Sequence, residues 1–295
     1  MILVTGATGT VGRALVPKLL ERGDEVRVLV RDPRKLGRLR VEVRIALGGL
    51  GELGDPRVAR QALRGVDSVI HLAAAIRDQP RAVVEEINGL GTARLLRAAE
   101  STRVSRFVYF SAIGATEFQR TRFFRAKALA ERAVRASELD TTVFAPSIVY
   151  DHDDPWVTMM RRLTLLPVVP VSGEGQAAYQ PIWADDVARC VLADLSRSEG
   201  SRRFELAGPE TLTYDQIARV IVRSSGRDRP LLHVPLGLVH YGLAGLRRAV
   251  GDAAFATWEE AELMEVPMVS ERGTADAVAL GVEPRAMAQV LGRSG

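Results

Sequence analysis

The chain has 295 residues, of which 47% are hydrophobic, so it is long enough to bury a large core as one domain or slightly more. Its 40 basic and 36 acidic residues are intermixed, which excludes a nucleic-acid-binding arm. The single cysteine, Cys190, excludes an intrachain disulfide and a cysteine-based metal cluster, and it favours a reducing, cytoplasmic location. We expect no signal peptide, because a strand begins at residue 2, and no apolar run of about 20 residues predicts a membrane span.

The first dozen residues predict a strand, a glycine-rich turn and the start of a helix. Ile2 to Val4 are aliphatic, as in a strand buried on both faces, and from Val11 to Leu20 apolar residues recur at helical spacing until Gly23. Backbone N–H groups and the positive end of the helix dipole would bind a pyrophosphate here; the alternative is a purely structural turn. The predicted contact residues are Gly6, Thr8, Gly9, Thr10, Val11 and Gly12.

The end of the second predicted strand, residues 26–30, indicates which dinucleotide binds. An NAD enzyme normally carries an acidic residue there, which accepts hydrogen bonds from the adenosine ribose. This chain has Arg31, with Arg34 and Lys35 close behind, and these cations favour NADP(H) because they would bind its 2′-phosphate. NAD(H) is the alternative, since Asp32 would also bind a ribose, and a solvated basic turn is the alternative without a ligand.

The next segments predict two more strands and an adenine contact. Residues 41–47 suit a third strand, and Glu52 and Leu53 in the loop after it are predicted to contact adenine. A helix over residues 57–64 leads to a fourth strand, residues 67–73. Because parallel strands end at the same edge of a sheet, the loop residues after these strands would share one ligand site.

The fourth strand ends in small residues and contains a histidine. Ala73, Ala74 and Ala75 leave room for a cofactor to pass. His71 lies within the apolar stretch, so we interpret it as a hydrogen-bonded core residue rather than a catalytic one. A long helix is predicted over residues 81–100.

The fifth strand and the helix after it carry the candidate catalytic residues. Ser111 lies at the tip of the strand over residues 106–111, where ligands bind in open α/β sheets. A helix over residues 121–137 places Phe123 and Lys127 four residues apart on one face. Lys127 is one of three lysines in an arginine-rich chain, which favours a ribose contact over a solvated helix charge.

The alternation of strands and helices predicts an α/β fold with a doubly wound parallel sheet. A sixth strand over residues 142–148 ends in Pro146, Ser147 and Ile148, which are further candidates for cofactor contact. We expect residues 1–150, completed by about 180–207, to form a dinucleotide-binding Rossmann domain. Residues 151–179 and 208–295 would then form a smaller, mostly helical substrate or cap region.

The pattern changes at Asp151, where prolines and glycines predict an irregular insertion up to residue 179. We predict no metal site, because the adjacent residues Asp151 to Asp154 would rarely converge on one ion. A solvated or substrate-facing loop is the interpretation we prefer. An apolar stretch over residues 235–250 is interpreted as a packed amphipathic helix, with a membrane surface or a partner as the alternative. Further elements are predicted over residues 183–195, 204–207 and 213–224.

Several segments together resemble the short-chain dehydrogenase/reductase superfamily in its extended or atypical branch. The segments are 5–12, 71–75 and 88–92, with Ser111 and Lys127. More narrowly, four segments resemble the group related to the accessory Rossmann-type subunit of respiratory complex I. These segments are 106–115, 180–187, 208–213 and 280–285.

The resemblance implies a serine that orients a carbonyl, a tyrosine that transfers the proton and a lysine four residues later that holds the nicotinamide ribose. The lysine and tyrosine positions fall on Lys127 and Phe123, and the serine position falls on Ser111 or a close neighbour. A phenyl ring has no ionisable proton, so Phe123 does not transfer one. Substitute donors are Tyr109, Tyr150 and Tyr179, of which Tyr179 is preferred.

Two functions follow from these expectations. In the first, which Phe123 favours, the chain binds a dinucleotide structurally or as a redox sensor, as in NmrA-type regulators. In the second, it is an NADP-dependent oxidoreductase or epimerase that acts on a small carbonyl or sugar-nucleotide substrate with another proton donor. No nucleophile elbow supports a hydrolase. The substrate is not identified, and a protein partner or a homodimer stays open.

Overall fold

The computed structural model describes residues 1–79, 82–197, 200–235 and 262–292. Short 3-10 segments cover Pro33–Val41 and Leu50–Gly54, and a π turn covers Glu86–Leu90. In chain order, the described strands and helices are β1 (Ile2–Thr5), α1 (Thr10–Glu21), β2 (Val26–Val30), β3 (Arg44–Leu47), α2 (Pro56–Leu63), β4 (Ser68–His71), α3 (Gly91–Glu100), β5 (Arg106–Phe110), α4 (Arg122–Arg135), β6 (Asp140–Pro146), β7 (Val149–Tyr150), α5 (Pro155–Leu163), β8 (Val169–Ser172), β9 (Ala178–Tyr179), β10 (Ile182–Trp183), α6 (Ala184–Leu195), β11 (Arg202–Leu206), β12 (Leu212–Thr213), α7 (Tyr214–Ser224), β13 (Leu231–Val234), α8 (Ala275–Ala279) and α9 (Met287–Leu291).

Seven strands form one sheet in the order β3-β2-β1-β4-β5-β6-β11, and all neighbours in it are parallel. The predicted doubly wound α/β fold is confirmed. Strand order reverses at β1, where Thr5 pairs with Leu29 of β2 on one side and with His71 of β4 on the other. Ligands of such sheets bind in the crevice beyond the strand ends at this reversal.

The sheet separates two apolar layers because successive strand residues face opposite sides. In β1, Ile2 and Val4 pack in the cluster that contains α1 and α6, whereas Leu3 packs in the cluster that contains α2, α3 and α4. All four residues of β1 are buried. The aliphatic start of the chain is thus the central strand of the sheet, covered by helices on both faces.

Three segments differ most from the sequence-based expectations, whereas the ends of other elements, such as β6 (Asp140–Pro146), differ by one or two residues. The third strand begins at Arg44 rather than residue 41, because two short 3-10 turns, separated by a kink at Gly37, cover Pro33–Val41. The helix expected over residues 81–100 is α-helical from Gly91, after the π turn. The insertion after residue 151 is not irregular throughout, because Asp154 caps α5 by accepting hydrogen bonds from two backbone N–H groups.

A third apolar cluster is built from α5, α7 and α9 and from the short paired strands β7–β10, β9–β12 and β8–β13. Helix α7 begins with the predicted cap, since the Thr213 hydroxyl accepts the N–H of Gln216. Most of the amphipathic stretch expected over 235–250 lies outside the described residues. Within the described ranges, no helix is long and apolar enough to cross a membrane.

Candidate nucleotide-binding and active site

The turn between β1 and α1 uses glycine where a side chain would collide with backbone. Gly6 has a φ of +74°, and a Cβ on it would lie 2.7 Å from the backbone nitrogen of Ala73 after β4. A Cβ on Gly12 would lie 2.4 Å from the Gly6 carbonyl oxygen, and one on Gly9 would lie 3.3 Å from the same oxygen. The turn, the strand ends and the helix therefore pack at distances that only glycine permits.

The first turn of α1 leaves donors for an anion. Gly9 is the N-cap, it has no side chain to accept a hydrogen bond, and no acidic residue lies in the first turn. The N–H groups of Thr10, Val11 and Gly12 have no intrahelical acceptor, as in any first helical turn. Thr8, just before them, is half-buried. Uncapped donors without a competing carboxylate fit a dinucleotide pyrophosphate.

Replacing Gly12 by alanine is expected to destabilise the chain. The added Cβ would lie 2.4 Å from the Gly6 oxygen and 2.6 Å from Cα of Ala7, so backbone must move. We expect the free energy of unfolding to fall by about 1–3 kcal/mol in urea denaturation. Gly89→Ala is the control, because nothing lies within 4 Å of its added Cβ. Equal midpoints for the two variants would contradict the close packing at Gly12.

The basic end of β2 contains one ion pair and one arginine that is open to solvent. The Asp32 carboxylate accepts hydrogen bonds from the Arg34 side chain at 3.0 Å and from the Arg34 backbone at 3.1 Å. These bonds hold the pKa of the Asp32 carboxyl below its usual value. Arg31 is exposed, and its guanidinium has no hydrogen-bond or ion-pair partner among the described residues. Asp32 is thus paired with Arg34, whereas no described residue accepts a hydrogen bond from the N–H groups of the Arg31 guanidinium.

The two predicted adenine contacts differ in accessibility. The Glu52 carboxylate accepts the backbone N–H of Gly49 at 3.3 Å, which places it at the end of β3. Leu53 is 4% exposed and packs in the core with α2 and α3, so its side chain offers little surface to a ligand. Burial of Leu53 follows from its place in the 3-10 segment, whose apolar side turns inward. Both adenine contacts stay predictions.

The residues after β4 and β6 are held by side chains from distant parts of the chain. Ala75 exchanges two hydrogen bonds with the buried Asn88 side chain, at 2.9 and 2.7 Å, and the neighbouring Ala74 is exposed. The Ser147 hydroxyl donates to the Met268 carbonyl at 2.7 Å and accepts the Gln180 N–H at 3.0 Å. Ser147 therefore binds the C-terminal segment through its side chain. Pro146 is buried and Ile148 is half-buried.

His71 is a core histidine, as the sequence predicts. Its Nδ1 is 2.7 Å from the Thr5 hydroxyl and its Nε2 is 2.9 Å from the Thr92 hydroxyl. Because Thr92 donates its own proton to the Asn88 carbonyl at 2.6 Å, Nε2 of His71 is the donor and Nδ1 the acceptor. Burial, and next the charge of Lys127, lower the pKa of His71 to about 3, so the ring is neutral.

Ser111 and Lys127 lie at the carboxyl end of β5. Lys127 is 3% exposed, and its Nζ donates to the Phe110 carbonyl at 2.5 Å. Burial lowers the pKa of its ammonium to about 7. Ser111 is 4% exposed, and its Oγ has no partner among the described residues. A buried hydroxyl without a partner is costly, so this oxygen is suited to bind a ligand or water.

Phe123 occupies the place where the resemblance implies a tyrosine, beside that lysine. The Nζ of Lys127 lies 5.9 Å from the centre of the Phe123 ring and 5.0 Å from the centre of the Tyr109 ring. Phe123 also meets the Phe124 ring edge-on at 5.3 Å. Both phenylalanines belong to an apolar cluster, whose other members are Ala112, Ala115, Leu263, Met264, Val266 and Met268.

The three candidate substitute donors are buried, and among the described residues the Tyr150 hydroxyl has no hydrogen-bond partner. The Tyr109 hydroxyl donates to the Lys127 carbonyl at 3.3 Å, and the Tyr179 hydroxyl donates to the Met264 carbonyl. Tyr150 is fully buried in the third apolar cluster. Burial raises the pKa of all three hydroxyls above the usual value. The hydroxyl of the preferred candidate, Tyr179, thus already donates its hydrogen bond to a backbone carbonyl and does not offer it to a substrate.

The acidic residues in the loop after residue 150 accept hydrogen bonds that hold the loop in place. Asp154 accepts the backbone N–H groups of Asp151, Trp156 and Val157. Asp151 accepts the Trp183 indole N–H at 3.0 Å. These contacts tie the loop to α5 and β10, so the clustering of carboxylates has a local explanation in helix capping.

Two features of the site were missed from sequence. Arg122, at the start of α4, binds Glu85 through two bonds of 2.6 Å and Asp78 at 3.1 Å, which joins α4 to the loop after β4. Thr121, the N-cap of α4, has a buried hydroxyl without a partner among the described residues. The ion-pair partners lie 37 and 44 residues from Arg122, a separation at which no local pattern links them.

Comparison with known proteins adds two relatives that differ in function. The chain is 29% identical over 237 residues to NADH dehydrogenase [ubiquinone] 1 alpha subcomplex subunit 9, mitochondrial, of Arabidopsis thaliana. That alignment covers 74% of this chain but 56% of the plant subunit. The chain is also 31% identical over 239 residues to the ceramide reductase of Caulobacter vibrioides, covering 80% of this chain and 74% of the reductase.

The fold is shared with solved structures at lower identity. The complex of Thermus thermophilus UDP-glucose 4-epimerase with NAD superposes with a TM-score of 0.74 at 18% identity, covering 99% of this chain and 96% of that chain. The family model described as NAD(P)H-binding matches residues 6–197, which is more than half of the chain. The chain therefore belongs to the NAD(P)H-binding Rossmann family, in an atypical group of the short-chain dehydrogenase/reductase superfamily.

Proposed function

We propose that this chain binds NADP(H) as a structural or redox-sensing ligand and does not carry out the proton transfer of the superfamily's reductases. The observation that carries the proposal is Phe123. Its ring lies 5.9 Å from Nζ of Lys127, where the resemblance implies a tyrosine, and it has no proton to exchange. The cradle of Gly6, Gly9 and Gly12 would hold the pyrophosphate, and Lys127 would hold the nicotinamide ribose.

The surroundings of Phe123 support this proposal. The side chains packed around it are apolar, and the nearby Tyr109 hydroxyl donates to backbone while its pKa is raised by burial. A general acid must reach the reacting atom at hydrogen-bond distance and release its proton near neutral pH. Tyr109 does not meet these conditions, because its hydroxyl donates to a backbone carbonyl and burial raises its pKa. The similarity to a complex I subunit, which spans only part of that protein, agrees with a binding role.

Arg31 and Asp32 support a preference for NADP(H) over NAD(H). Oδ1 of Asp32 already accepts two hydrogen bonds from Arg34, whereas the Arg31 guanidinium is exposed without a partner among the described residues. A guanidinium binds a phosphate through two parallel hydrogen bonds. The 2′-phosphate, which distinguishes the two cofactors, would therefore find its donors at Arg31.

The preference is tested by fluorescence titration of the purified chain with NADPH and NADH. We expect tighter binding of NADPH, and we expect Arg31→Ala to weaken NADPH binding about tenfold while NADH binding stays within about twofold, since one charge-assisted pair is worth roughly 1.5 kcal/mol. Arg97→Ala is the matched control, because Arg97 is an exposed arginine in the last turn of α3. Equal or tighter NADH binding by the unmodified chain would contradict the preference.

The second candidate is an NADP-dependent oxidoreductase or epimerase with a different proton donor. Ser111 favours it, because its buried Oγ has no partner among the described residues and would orient a carbonyl oxygen. Lys127 favours it too, since burial lowers the pKa of its ammonium to about 7, in the range of a general acid or base. A ceramide reductase among the relatives is consistent with such an activity.

The wider organisation is part of the proposal. Residues 1–150, completed by about 180–207, would bind the dinucleotide, and residues 151–179 and 208–295 would form the substrate or cap region. We also propose a reducing, cytoplasmic location, which the use of a single cysteine favours. A protein partner or a second copy of the chain is compatible with a binding role.

A further inference from the structure

The edge of the sheet where β2 and β3 end places an arginine side chain on a glycine. Val30 pairs with Leu47 at the parallel ends of these strands, so Arg31 and Gly49 leave the sheet close together. A Cβ built on Gly49 would lie 3.1 Å from Cδ and 3.2 Å from Cγ of Arg31. The aliphatic stem of Arg31 therefore lies directly on the backbone of Gly49.

The backbone conformation of Gly49 does not itself require glycine. Its φ of −128° and ψ of 172° are those of extended backbone, which any residue adopts. The hydrogen bond from its N–H to the Glu52 carboxylate would persist in another residue. The adjacent Gly48 differs, because its φ is +146°. What a side chain at residue 49 would disturb is the contact with the Arg31 stem.

We propose that Gly49 is a positioning residue for cofactor specificity. Because residue 49 has no side chain, the aliphatic part of Arg31 packs against the loop, and this contact holds the guanidinium where the adenosine 2′-phosphate binds. The inference rests on the NADP(H) preference proposed above. A Cβ at 3.1 Å is closer than ordinary contact, so the exposed stem of Arg31 would have to shift by a few tenths of an ångström. Because paired guanidinium–phosphate bonds need a fixed geometry, a displaced or freely rotating Arg31 would bind the phosphate more weakly.

The effect would be specific for the phosphorylated cofactor. NADH has no 2′-phosphate, so its affinity would not depend on where Arg31 points. The Glu52 carboxylate lies near this edge, but its bond to the Gly49 backbone keeps its place in a Gly49→Ala variant. The ratio of NADPH to NADH affinity therefore reports the position of Arg31, and a general loss of stability would not change that ratio.

The test compares the full-length chain with Gly49→Ala, Arg31→Ala, the double variant and the control Gly51→Ala. Nothing lies within 4 Å of a Cβ on Gly51, two residues further along the same loop. We expect Gly49→Ala to raise the Kd for NADPH about three- to tenfold, because binding would then include the cost of ordering one long side chain. The Kd for NADH should stay within about twofold of its value for the unmodified chain. Gly51→Ala should behave as the unmodified chain. In the Arg31→Ala background, Gly49→Ala should have no further effect, because both changes act through the same side chain.

The outcomes separate this inference from the cofactor preference. If Arg31→Ala weakens NADPH binding but Gly49→Ala and Gly51→Ala have the same Kd for NADPH, Gly49 does not position Arg31 and the inference is overturned. An equal loss of NADPH and NADH affinity in Gly49→Ala would also overturn it, because the loop as a whole would then be disturbed. If Arg31→Ala leaves NADPH binding unchanged, the NADP(H) preference itself fails, and the inference falls with it.

Discussion

Phe123→Tyr is expected to give this chain NADPH-dependent carbonyl reduction, which our proposal does not expect of the unmodified chain. The new hydroxyl would extend from a ring whose centre is 5.9 Å from Nζ of Lys127. The buried Ser111 hydroxyl, which has no partner among the described residues, is the group that we expect to orient the carbonyl. A positioned general acid accelerates such reactions about 10²- to 10⁴-fold. We therefore expect at least a hundredfold (about 10²) rise in NADPH oxidation with a panel of aldehydes and ketones.

The control for this variant is Phe118→Tyr, which adds the same hydroxyl to a side chain that is 97% exposed. It should show no more oxidation than the unmodified chain. Adding Lys127→Met to Phe123→Tyr should abolish the gain, because the lysine would no longer lower the pKa of the new tyrosine. If Phe123→Tyr oxidises NADPH no faster than Phe118→Tyr, the lack of a hydroxyl at residue 123 does not explain an absence of reductase activity, and the proposal is contradicted.

Lys127 is expected to make the stability of the chain depend on pH above neutrality. Burial lowers the pKa of its ammonium from 10.5 to about 7 in the folded chain. Between these values the unfolded chain binds one more proton than the folded chain, so stability rises with pH. Below pH 7 both states are protonated, and this group adds no slope. From pH 7 to 9.5 we expect the free energy of unfolding to rise by about 3 kcal/mol relative to a Lys127→Met variant.

Urea denaturation of both proteins at intervals across this range measures the effect. The difference between them isolates Lys127, because the buried tyrosines titrate alike in both proteins. Only above about pH 10 do those tyrosines add a slope of their own, downward, since their pKa values are raised on folding. Parallel stability curves for the two proteins from pH 7 to 9.5 would contradict a buried ammonium with a lowered pKa.

The central sheet was predictable because its signals are local. The aliphatic run at Ile2 and the glycines at Gly6 and Gly12 report burial on both faces and close backbone packing, and these follow from residue type alone. The same holds for Thr213, whose hydroxyl caps α7 as predicted. Such features depend on a few neighbouring residues, so the sequence contains nearly all the information that determines them.

Features that depend on distant partners were not predictable in the same way. Residues 41–43 have strand-like composition, but two short 3-10 turns, separated by a kink at Gly37, cover Pro33–Val41. Asp151 accepts the indole N–H of Trp183, 32 residues further along the chain, and no local pattern links these two residues. The sequence likewise showed that Arg31 follows β2, but only the approach of β3 shows the glycine beneath it.

The candidate catalytic residues lie between these cases. Their spacing predicted that Phe123 and Lys127 share a helix face, and in the structure Nζ of Lys127 lies 5.9 Å from the centre of the Phe123 ring. The depth of burial was not foreseeable, and it is burial that lowers the pKa of Lys127 and commits Tyr179 to a backbone carbonyl. The roles of these residues stay predictions until a ligand is bound.

The central claim, binding without reductase chemistry, is tested most directly by following NADPH fluorescence after mixing the unmodified chain with NADPH and the carbonyl panel. The account predicts an immediate change that saturates with protein concentration, followed by a constant signal, because NADPH is bound and not consumed. A steady loss of NADPH that depends on a carbonyl compound, and that Ser111→Ala with Lys127→Met abolishes, would contradict it.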